Sequence, residues 1–406
     1  MEDALQDLEL YKRLYFENNP ESTKEEEITA VKKKAAELIQ TVLPTTVWGN
    51  SSRAYDTNQK ARLLLEAAKL YNILEDYNET AEKFLSKSVR MNPKNAEAWH
   101  ELGKCVMKKK DVEFAQACFR VALVLDRSPQ NLTCLAVGLR LMAAVLSDAT
   151  QADLRTRAMD LITEAKEIDI TYGPAHLAFA TGLFFRFFNS LNSDLKLLEK
   201  AVENYRKAAE CEQTKTDPQV YLNMATCLKF MEKYEEALEA YAKGIEYDSR
   251  NEFGTATKLE FCKNYLIKFA EGIQKKGKVK QKKMLEFMSE LNKLPAVPLD
   301  AFRIKIIGFL SHDEDIPLAL IGADATGDVH GITVYNCSAS FGFVIGDTIT
   351  ISRPDYRSVE NLKFPGVSTT VSMKWVRVNT PTQIKKNGVF LPESVLARAI
   401  ASTQTK

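Results

Sequence analysis

The chain has 406 residues, 45% of them hydrophobic, which suits two or three domains with a substantial core. A formal net charge of +1 excludes a global field that would favour nucleic acid or an anionic membrane. The acidic start lacks signal-peptide order, no apolar run approaches the roughly 18 residues of a membrane span, and the seven cysteines form no CxxC pair, so we expect a protein of the cytoplasm and nucleus with reduced thiols.

Residues 1–43 are predicted to be helical. Apolar side chains between Glu25 and Leu43 recur at helical spacing, namely Ile28, Val31, Ala35, Leu38, Ile39 and Val42. Pro44 is expected to end the helix, because proline has no amide hydrogen to donate. Residues 1–60 are therefore assigned to a region of N-terminal helices.

Two segments of 34 residues, Arg62–Asn95 and Ala96–Pro129, align without a gap. In the second segment six residues occupy positions that define the tetratricopeptide repeat: Trp99, Leu102, Gly103, Ala115, Phe119 and Ala122. The first segment matches three of the later positions with Ala81, Leu85 and Pro93. Such repeats stack as helix pairs, and the concave face of the stack holds a peptide or protein segment.

Three further repeats and a final helix complete the predicted array at 61–272. The third repeat needs about ten extra residues between its helices, near Ser147–Gln151, and the fourth has an insertion around Asn189–Leu195. The residues predicted to pack between helices are Ala158, Ile162 and Ala165, then Ala201, Tyr205 and Ala208, then Ala237, Tyr241 and Gly244. The helix Glu252–Gly272 is predicted to cap the array.

Residues 273–299 form a lysine-rich hinge followed by a helix. The segment Gln274–Lys283 holds six lysines in ten residues. It has three interpretations: a solvated linker, a contact to nucleic-acid phosphate that includes ribosomal RNA, or a nuclear import signal. Phosphate contact needs a dense row of ammonium groups and no base-reading residue.

Residues 300–406 predict a small Greek-key barrel of the oligonucleotide/oligosaccharide-binding (OB) type, because the hydrophobic period falls from 3.6 to 2. The predicted strands are Phe302–Ile306, Ile332–Tyr335, Val344–Ile351, Met373–Val378 and Val389–Leu391. The aromatic residues of this region favour barrel core over a platform for stacking single-stranded nucleic acid: Phe302, Phe309, Tyr335, Phe341, Phe343, Tyr356, Phe364 and Trp375.

Motifs of metal or nucleotide chemistry are absent from the sequence. The four histidines, His100, His176, His312 and His330, form no HExxH or Cys/His cluster. The run Asp313–Asp315 is interpreted as a solvated turn. Without phosphate-binding glycine loops or a nucleophile elbow, we expect a protein that is not an enzyme and needs no cofactor or metal.

Positions 2, 5, 9, 12 and 13 of each first helix line the concave face of a tetratricopeptide scaffold. These are Glu97, His100, Lys104, Met107 and Lys108 in the second repeat, Pro174, Leu177, Thr181, Phe184 and Phe185 in the fourth, and Gln219, Leu222, Thr226, Lys229 and Phe230 in the fifth. The mixture suits a short peptide with polar and apolar side chains. It lacks the basic residue and asparagine with which some co-chaperones clamp the carboxylates of a chaperone tail.

The order of repeats, lysine hinge and barrel resembles the tetratricopeptide repeat protein five (Strap) family. The segments that carry the resemblance are Lys276–Lys283, Val334–Asn336, Phe341–Asp347, Val376–Pro381, Leu222–Thr226 and Tyr234–Leu238. The resemblance implies a tetratricopeptide superhelix joined to an OB-type barrel. It covers most of the chain from about residue 60.

The resemblance also implies two roles. Members of this family recognise the nascent amino-terminal Met-Arg-Glu motif of tubulins as it leaves the ribosome. They then recruit a factor that starts the decay of tubulin messenger RNA. The second role is that of a nuclear cofactor for stress-activated transcription, bound to an acetyltransferase coactivator. Neither role involves a membrane.

Individual residues follow from the resemblance. Lys278 and Lys280 match the ribosome-contacting lysines. For the peptide, Arg140 is the candidate base for the glutamate and Glu252 the candidate acid for the arginine, while Asp217 is close to a further family acid. Lys104 and Lys229, which come from the concave-face positions rather than from the resemblance, complete the candidate peptide-binding set. The functions left open are the ribosomal adaptor, the nuclear scaffold and a single-stranded nucleic-acid binder.

Overall fold

The computed structural model describes residues 2–42, 55–146, 149–190, 194–310, 317–338 and 341–398. Within these residues, fourteen α-helices precede eight β-strands. The chain divides into two compact units, Met1–Ala178 and Phe179–Lys406. The predicted fold class, a tetratricopeptide-repeat superhelix followed by a small OB-type barrel, is confirmed.

Helices make up the first unit. They are α1 (Glu2–Asn18), α2 (Lys24–Val42), α3 (Thr57–Tyr71), α4 (Glu79–Met91), α5 (Ala96–Lys108), α6 (Val112–Leu125), α7 (Pro129–Val145) and α8 (Ala149–Ile168), and α9 (Gly173–Phe188) crosses into the second unit. The predicted helical region at 1–43 therefore contains two helices, and Pro44 lies outside the described residues.

The second repeat shows why its sequence forms a packed helix pair. Asp111 precedes α6 and caps its first turn, since its carboxylate accepts a hydrogen bond from the Phe114 amide at 3.1 Å. Phe119 is buried against Gly103 of α5, where a β-carbon would lie 2.5 Å from the ring. Only glycine permits this close approach.

The third repeat differs from the prediction in where its extra residues lie. The sequence suggested additional residues between the helices, but α7 ends at Val145 and α8 begins at Ala149. The two helices are 17 and 20 residues long, whereas α5 and α6 have 13 and 14. The residues predicted to pack between helices are buried in the third, fourth and fifth repeats.

The second unit continues the array and adds the barrel. Its helices are α10 (Leu195–Glu210), α11 (Pro218–Phe230), α12 (Tyr234–Tyr247), α13 (Thr255–Gln274) and α14 (Gln281–Asn292), with a short 3-10 helix at Lys276–Lys278. The final helix of the array, α13, begins at Thr255 rather than at the predicted Glu252. Asp248 accepts hydrogen bonds from the amides of Phe253 and Thr255, and Gly254 has a φ of 73°.

The strands are β1 (Ala301–Phe309), β2 (Leu318–Ala323), β3 (Val329–Val334), β4 (Thr348–Ser352), β5 (Asp355–Phe364), β6 (Val367–Val378), β7 (Ile384–Lys386) and β8 (Val389–Phe390). They form one sheet in the order β5-β6-β3-β2-β1-β4-β7-β8, in which only the β3–β6 pair is parallel. Between β4 and β5 there are only two residues, Arg353 and Pro354. Strands β4 and β5 thus act as one bent strand, in which β4 pairs with β1 and β5 pairs with β6. This shared strand closes the sheet into a barrel.

Helix α13 covers the outer face of the barrel at β2 and β3. A β-carbon on Gly331 of β3 would lie 2.4 Å from the Phe269 ring, and one on Gly272 of α13 would lie 2.5 Å from Ile321. The barrel interior is aliphatic and includes Ile304, Ile306, Leu320, Ile332, Ile349, Val376 and Val378. Since OB barrels bind oligonucleotides on the face of their second and third strands, the usual ligand surface here is occupied by the chain itself.

Candidate functional site

In the first unit, two of the predicted peptide-binding residues lie on first helices of the repeats. Arg140, in α7, is half-buried, and its Nη1 donates to the backbone carbonyl of Ala178 at 2.6 Å. Lys104, in α5, is exposed and forms an ion pair with Glu101 at 2.9 Å. Both positions agree with the predicted helices, and each side chain already has a neighbour in the folded chain.

Two other predicted groove residues, His100 and Lys108, form hydrogen bonds with residues of the first unit. His100 Nδ1 lies 2.7 Å from Asn131 Oδ1, and burial lowers the pKa of this histidine. Lys108 donates to the Asn72 side chain at 2.8 Å and to the carbonyls of Asn72 and Leu74. Its pKa is lowered by burial. Lys108 thus holds the end of α3 rather than presenting its ammonium group to a ligand.

In the second unit, the predicted acids differ in environment. Asp217 precedes α11 and accepts a hydrogen bond from the Gln219 amide at 2.9 Å, while burial raises the pKa of its carboxyl. Glu252 is exposed in the turn before α13. The sequence analysis predicted that Glu252 is the first residue of that helix, and this prediction is wrong because α13 begins at Thr255. Lys229 is half-buried near the end of α11.

Aromatic residues at the end of α9 and α11 form one cluster rather than an open groove wall. The Phe230 ring lies 5.0 Å from Phe187 and 4.6 Å from Tyr335, measured between centroids. Phe184 is buried against Phe188, whereas Phe185 remains 44% exposed. Of the predicted groove phenylalanines, Phe185 is the one that presents an exposed ring.

The lysine hinge presents a row of exposed ammonium groups. Lys275 pairs with Glu271 and Lys283 with Glu286, at 2.6 and 3.0 Å. In the part of the chain that the structure describes, the exposed side chains with neither hydrogen bond nor ion pair include those of Lys276, Lys280 and Lys282. The side chain of Lys278 lies outside that part. The hinge therefore keeps positive charge available to solvent.

A glycine fixes this turn on the barrel. Gly277 has a φ of 59°, and a β-carbon there would lie 2.4 Å from the carbonyl oxygen of Ile307 in β1. On the strand, a β-carbon on Gly308 would lie 3.3 Å from the Gly277 backbone. Such close backbone contact argues against the solvated-linker interpretation, because the turn is packed where a linker would be surrounded by water.

A buried carboxylate joins the fifth repeat to the barrel. Glu232, in the turn between α11 and α12, accepts hydrogen bonds from Thr333 Oγ1 at 2.6 Å and Tyr335 Oη at 3.1 Å. Trp375 Nε1 donates to its other oxygen at 2.8 Å, and Arg377 Nη1 lies 3.6 Å away. Burial and the Glu232 charge raise the pKa of Tyr335 well above its ordinary value. We call Glu232 and these four barrel residues the joint.

Arg377 ties the joint to the backbone of α11. Its side chain is fully buried and donates from Nη1 to the Phe230 carbonyl and from Nε to Asn379, each at 2.7 Å. The guanidinium lies 3.9 Å above the Tyr335 ring, a cation–π contact. The sequence did not predict either charged residue of the joint as important.

The barrel aromatics divide between core and surface. Tyr335, Phe343, Phe364 and Trp375 are buried, but of these four only Phe343 belongs to the core cluster of the barrel interior. Trp375 faces the repeat rather than the barrel interior, with its ring 5.7 Å from Tyr234. Phe309 and Tyr356 are 52% and 60% exposed, so the core interpretation is wrong for these two.

Within the described residues, no group of three or more His, Cys, Asp or Glu side chains could hold a metal ion. Nor does any described helix have the length and apolar character to cross a membrane. His312 and the run Asp313–Asp315 lie outside the described residues.

Comparison with known proteins gives matches for both parts of the chain. Residues 278–400 match the family described as the tetratricopeptide repeat protein 5 OB fold domain, and residues 218–251 match the tetratricopeptide repeat. Tetratricopeptide repeat protein 5 of Bos taurus is 25% identical, with 100% of this chain and 96% of the relative covered. The whole chain resembles tetratricopeptide repeat protein 5.

The human protein of the same name is 26% identical, with 86% of this chain and 84% of that protein covered. Among solved structures, a thermophilic tetratricopeptide-repeat protein of Thermus thermophilus covers 49% of this chain and 96% of its own, with 18% identity and a TM-score of 0.41. The matched repeat and OB-fold domain, with the similarity to tetratricopeptide repeat protein 5, indicate a protein-binding adaptor.

Proposed function

We propose that this protein is a non-enzymatic adaptor that binds the nascent amino-terminal peptide of tubulin at the ribosome. Through a recruited factor it then starts the decay of tubulin messenger RNA. The observation that carries the proposal is the lysine turn, defined as residues Lys275–Lys280 of the hinge. Its Gly277 backbone packs against β1, and the exposed ammonium groups of Lys276 and Lys280 lie on either side of that contact in the chain. A fixed row of cations fits the phosphates of ribosomal RNA, since phosphate binding needs charge density rather than base contacts.

The peptide side of the proposal rests on charge complementarity. A Met-Arg-Glu motif carries one cation and one anion, so its site needs a base and an acid. Arg140 is the proposed partner of the peptide glutamate, since a guanidinium binds a carboxylate in bidentate geometry. Glu252 and Asp217 are the proposed acids, with Lys104 and Lys229 as further polar groups of the site.

Ribosome binding is tested by charge reversal in the hinge. We expect Lys278→Glu with Lys280→Glu to abolish co-sedimentation with ribosomes. In partially active single variants, the slope of binding against salt should fall by about one unit for each lost phosphate contact. Thermal stability of the single variant Lys280→Glu should stay nearly unchanged, because an exposed charge contributes little to folding.

The matched control for this test is Lys83→Glu with Lys87→Glu on α4, which changes the net charge by the same amount at exposed positions. It should leave co-sedimentation intact. Ribosome binding that survives the hinge substitutions would contradict the proposal. Equal losses in both double variants would mean that net charge, rather than the hinge, governs the association.

Peptide recognition is tested by titrating a labelled Met-Arg-Glu-Ile peptide. We expect Arg140→Ala and Glu252→Ala each to weaken binding by at least about tenfold, because removing one partner strands a charge in the complex. Arg90→Ala, an exposed arginine on α4, is the control. Partial rescue of Arg140→Glu by a Met-Arg-Lys-Ile peptide would establish the pairing, and equal affinities in all variants would remove both residues from the site.

A further inference from the structure

We propose that Glu232 and Arg377 are positioning residues that hold the lysine turn at a fixed place relative to the fifth repeat. This inference rests on the proposed function, in which one protein binds a ribosome and the peptide leaving it at the same time. The joint is the contact through which the repeat that carries Asp217 and Lys229 determines where the barrel, and with it the lysine turn, lies.

The structural path can be followed contact by contact within the second unit. Glu232 follows α11 and binds β3 and β6 through the joint. Those strands belong to the same sheet as β1, on which Gly277 packs. Lys276 and Lys278 are the chain neighbours of Gly277. One path from these lysines to α11 therefore runs through strands β1, β2 and β3 and then through the joint. Helix α13 provides a second connection, since it runs from the array to the turn.

The composition of the joint indicates orientation rather than stability as its purpose. Burying two charges costs desolvation free energy that an ion pair recovers only in part, so a well-packed apolar pair can be equally stable. Hydrogen bonds differ from apolar packing because they have direction. Donors from Thr333, Tyr335 and Trp375 converge on one carboxylate, so a rotation of the barrel against the repeat would break several bonds together.

Fixed geometry matters when two sites engage one particle. Once the lysines hold the ribosome, peptide binding becomes intramolecular, with an effective concentration that depends on how well the two sites match the span. A joint that holds the barrel in one orientation keeps the effective concentration of the peptide high. If α13 alone held the barrel, rotation would lower this effective concentration, while the separate affinities for the peptide and for the ribosome would not change.

The decisive variant is Glu232→Leu with Arg377→Met in the full chain, which removes both charges together and keeps the volume. Three affinities are measured: for the Met-Arg-Glu-Ile peptide, for ribosomes without a nascent chain, and for stalled ribosomes that display a tubulin amino terminus. We expect the first two to stay within twofold of wild type and the third to fall at least tenfold. Asp347→Asn with Lys386→Met, which removes an ion pair elsewhere in the barrel, should change none of them.

A distance measurement tests the joint without any ligand. Spin labels carried by unnatural amino acids at the exposed positions 219 and 282 report on α11 and α14. We expect a narrow distance distribution in wild type and a broad one in the Leu/Met variant, both measured well below the unfolding midpoint, which should fall in the variant because Thr333, Tyr335 and Trp375 lose their acceptor. An equally narrow distribution in the variant would overturn the inference, because α13 alone would then fix the geometry.

The outcomes separate the two proposals. Wild-type protein that binds neither the peptide nor empty ribosomes would overturn the proposed function, and the distance distribution would still decide whether the joint fixes the turn. Loss of stability together with all three affinities in the variant would overturn the positioning role, since the pair would then be merely structural. Unchanged capture of stalled ribosomes by a folded variant would also overturn it.

Discussion

At the scale of single residues, Trp375 makes two kinds of contact with the fifth repeat. Its indole ring packs against Tyr234, and its Nε1 donates a hydrogen bond to Glu232. The side chain is only 3% exposed. We therefore expect Trp375→Ala to lower the free energy of unfolding by about 3–5 kcal/mol, as for other buried aromatic residues. Chemical denaturation would measure the loss.

The control for this substitution is Trp99→Ala. The Trp99 indole donates to the Pro93 carbonyl in a more exposed setting, so its loss should cost less. A Trp375→Ala protein that stays as stable as wild type but has lost binding to single-stranded nucleic acid would reverse the assignment of this side chain to a packed interface.

The burial of Glu232 could not be predicted from the repeat pattern of the sequence. It occupies the same turn position in the fifth repeat as Lys110 in the second, and the two have φ angles of 61° and 65°. Lys110 is exposed, whereas Glu232 is buried beneath the barrel. The repeat pattern identifies the turn, but burial depends on a strand more than one hundred residues later, which local periodicity does not contain. The same holds for the candidate groove residues. Their helix positions do not predict which side chains form hydrogen bonds within the protein, as His100 and Lys108 do.

At the scale of elements, the turn at Gly277 gives a direct test of packing. Alanine in the left-handed conformation costs about 1–2 kcal/mol at any site. Gly277→Ala adds a clash with the Ile307 carbonyl, while Gly388→Ala, at a φ of 88°, meets open space. We expect the first to destabilise the protein more and to weaken ribosome binding, and the second to show only the conformational cost. Equal losses of stability would mean that the turn moves freely on β1.

The elements themselves were predictable to different degrees. The apolar spacing of the repeats predicted their helix pairs, because a period of 3.6 persists over whole helices. Strands β2, β5 and β7 were not predicted. Strand β5 gives a weak signal because it alternates half-buried and exposed side chains, many of them polar. The predicted strand Val344–Ile351 is shorter in the structure, since Gly346 turns the chain with a φ of 98° before β4 begins.

At the scale of the molecule, the barrel depends on the helices that cover it. Removing α13 would expose the face around Gly331 and Ile321, and removing the fifth repeat would deprive Arg377 of the Phe230 carbonyl and the Glu232 carboxylate. We therefore expect residues 300–406 alone to unfold without cooperativity or to aggregate, whereas residues 179–406 should show a cooperative transition by circular dichroism. Equal unfolding midpoints for the two fragments would contradict this dependence.

The tryptophan of the joint also has a photophysical consequence. The sequence has three tryptophans, Trp48, Trp99 and Trp375, of which only the last falls within residues 179–406. In that fragment all indole emission comes from a ring whose nitrogen donates to a carboxylate. Entry of water at the joint would shift this emission to longer wavelength, so the unlabelled fragment carries its own optical reporter of separation between repeat and barrel.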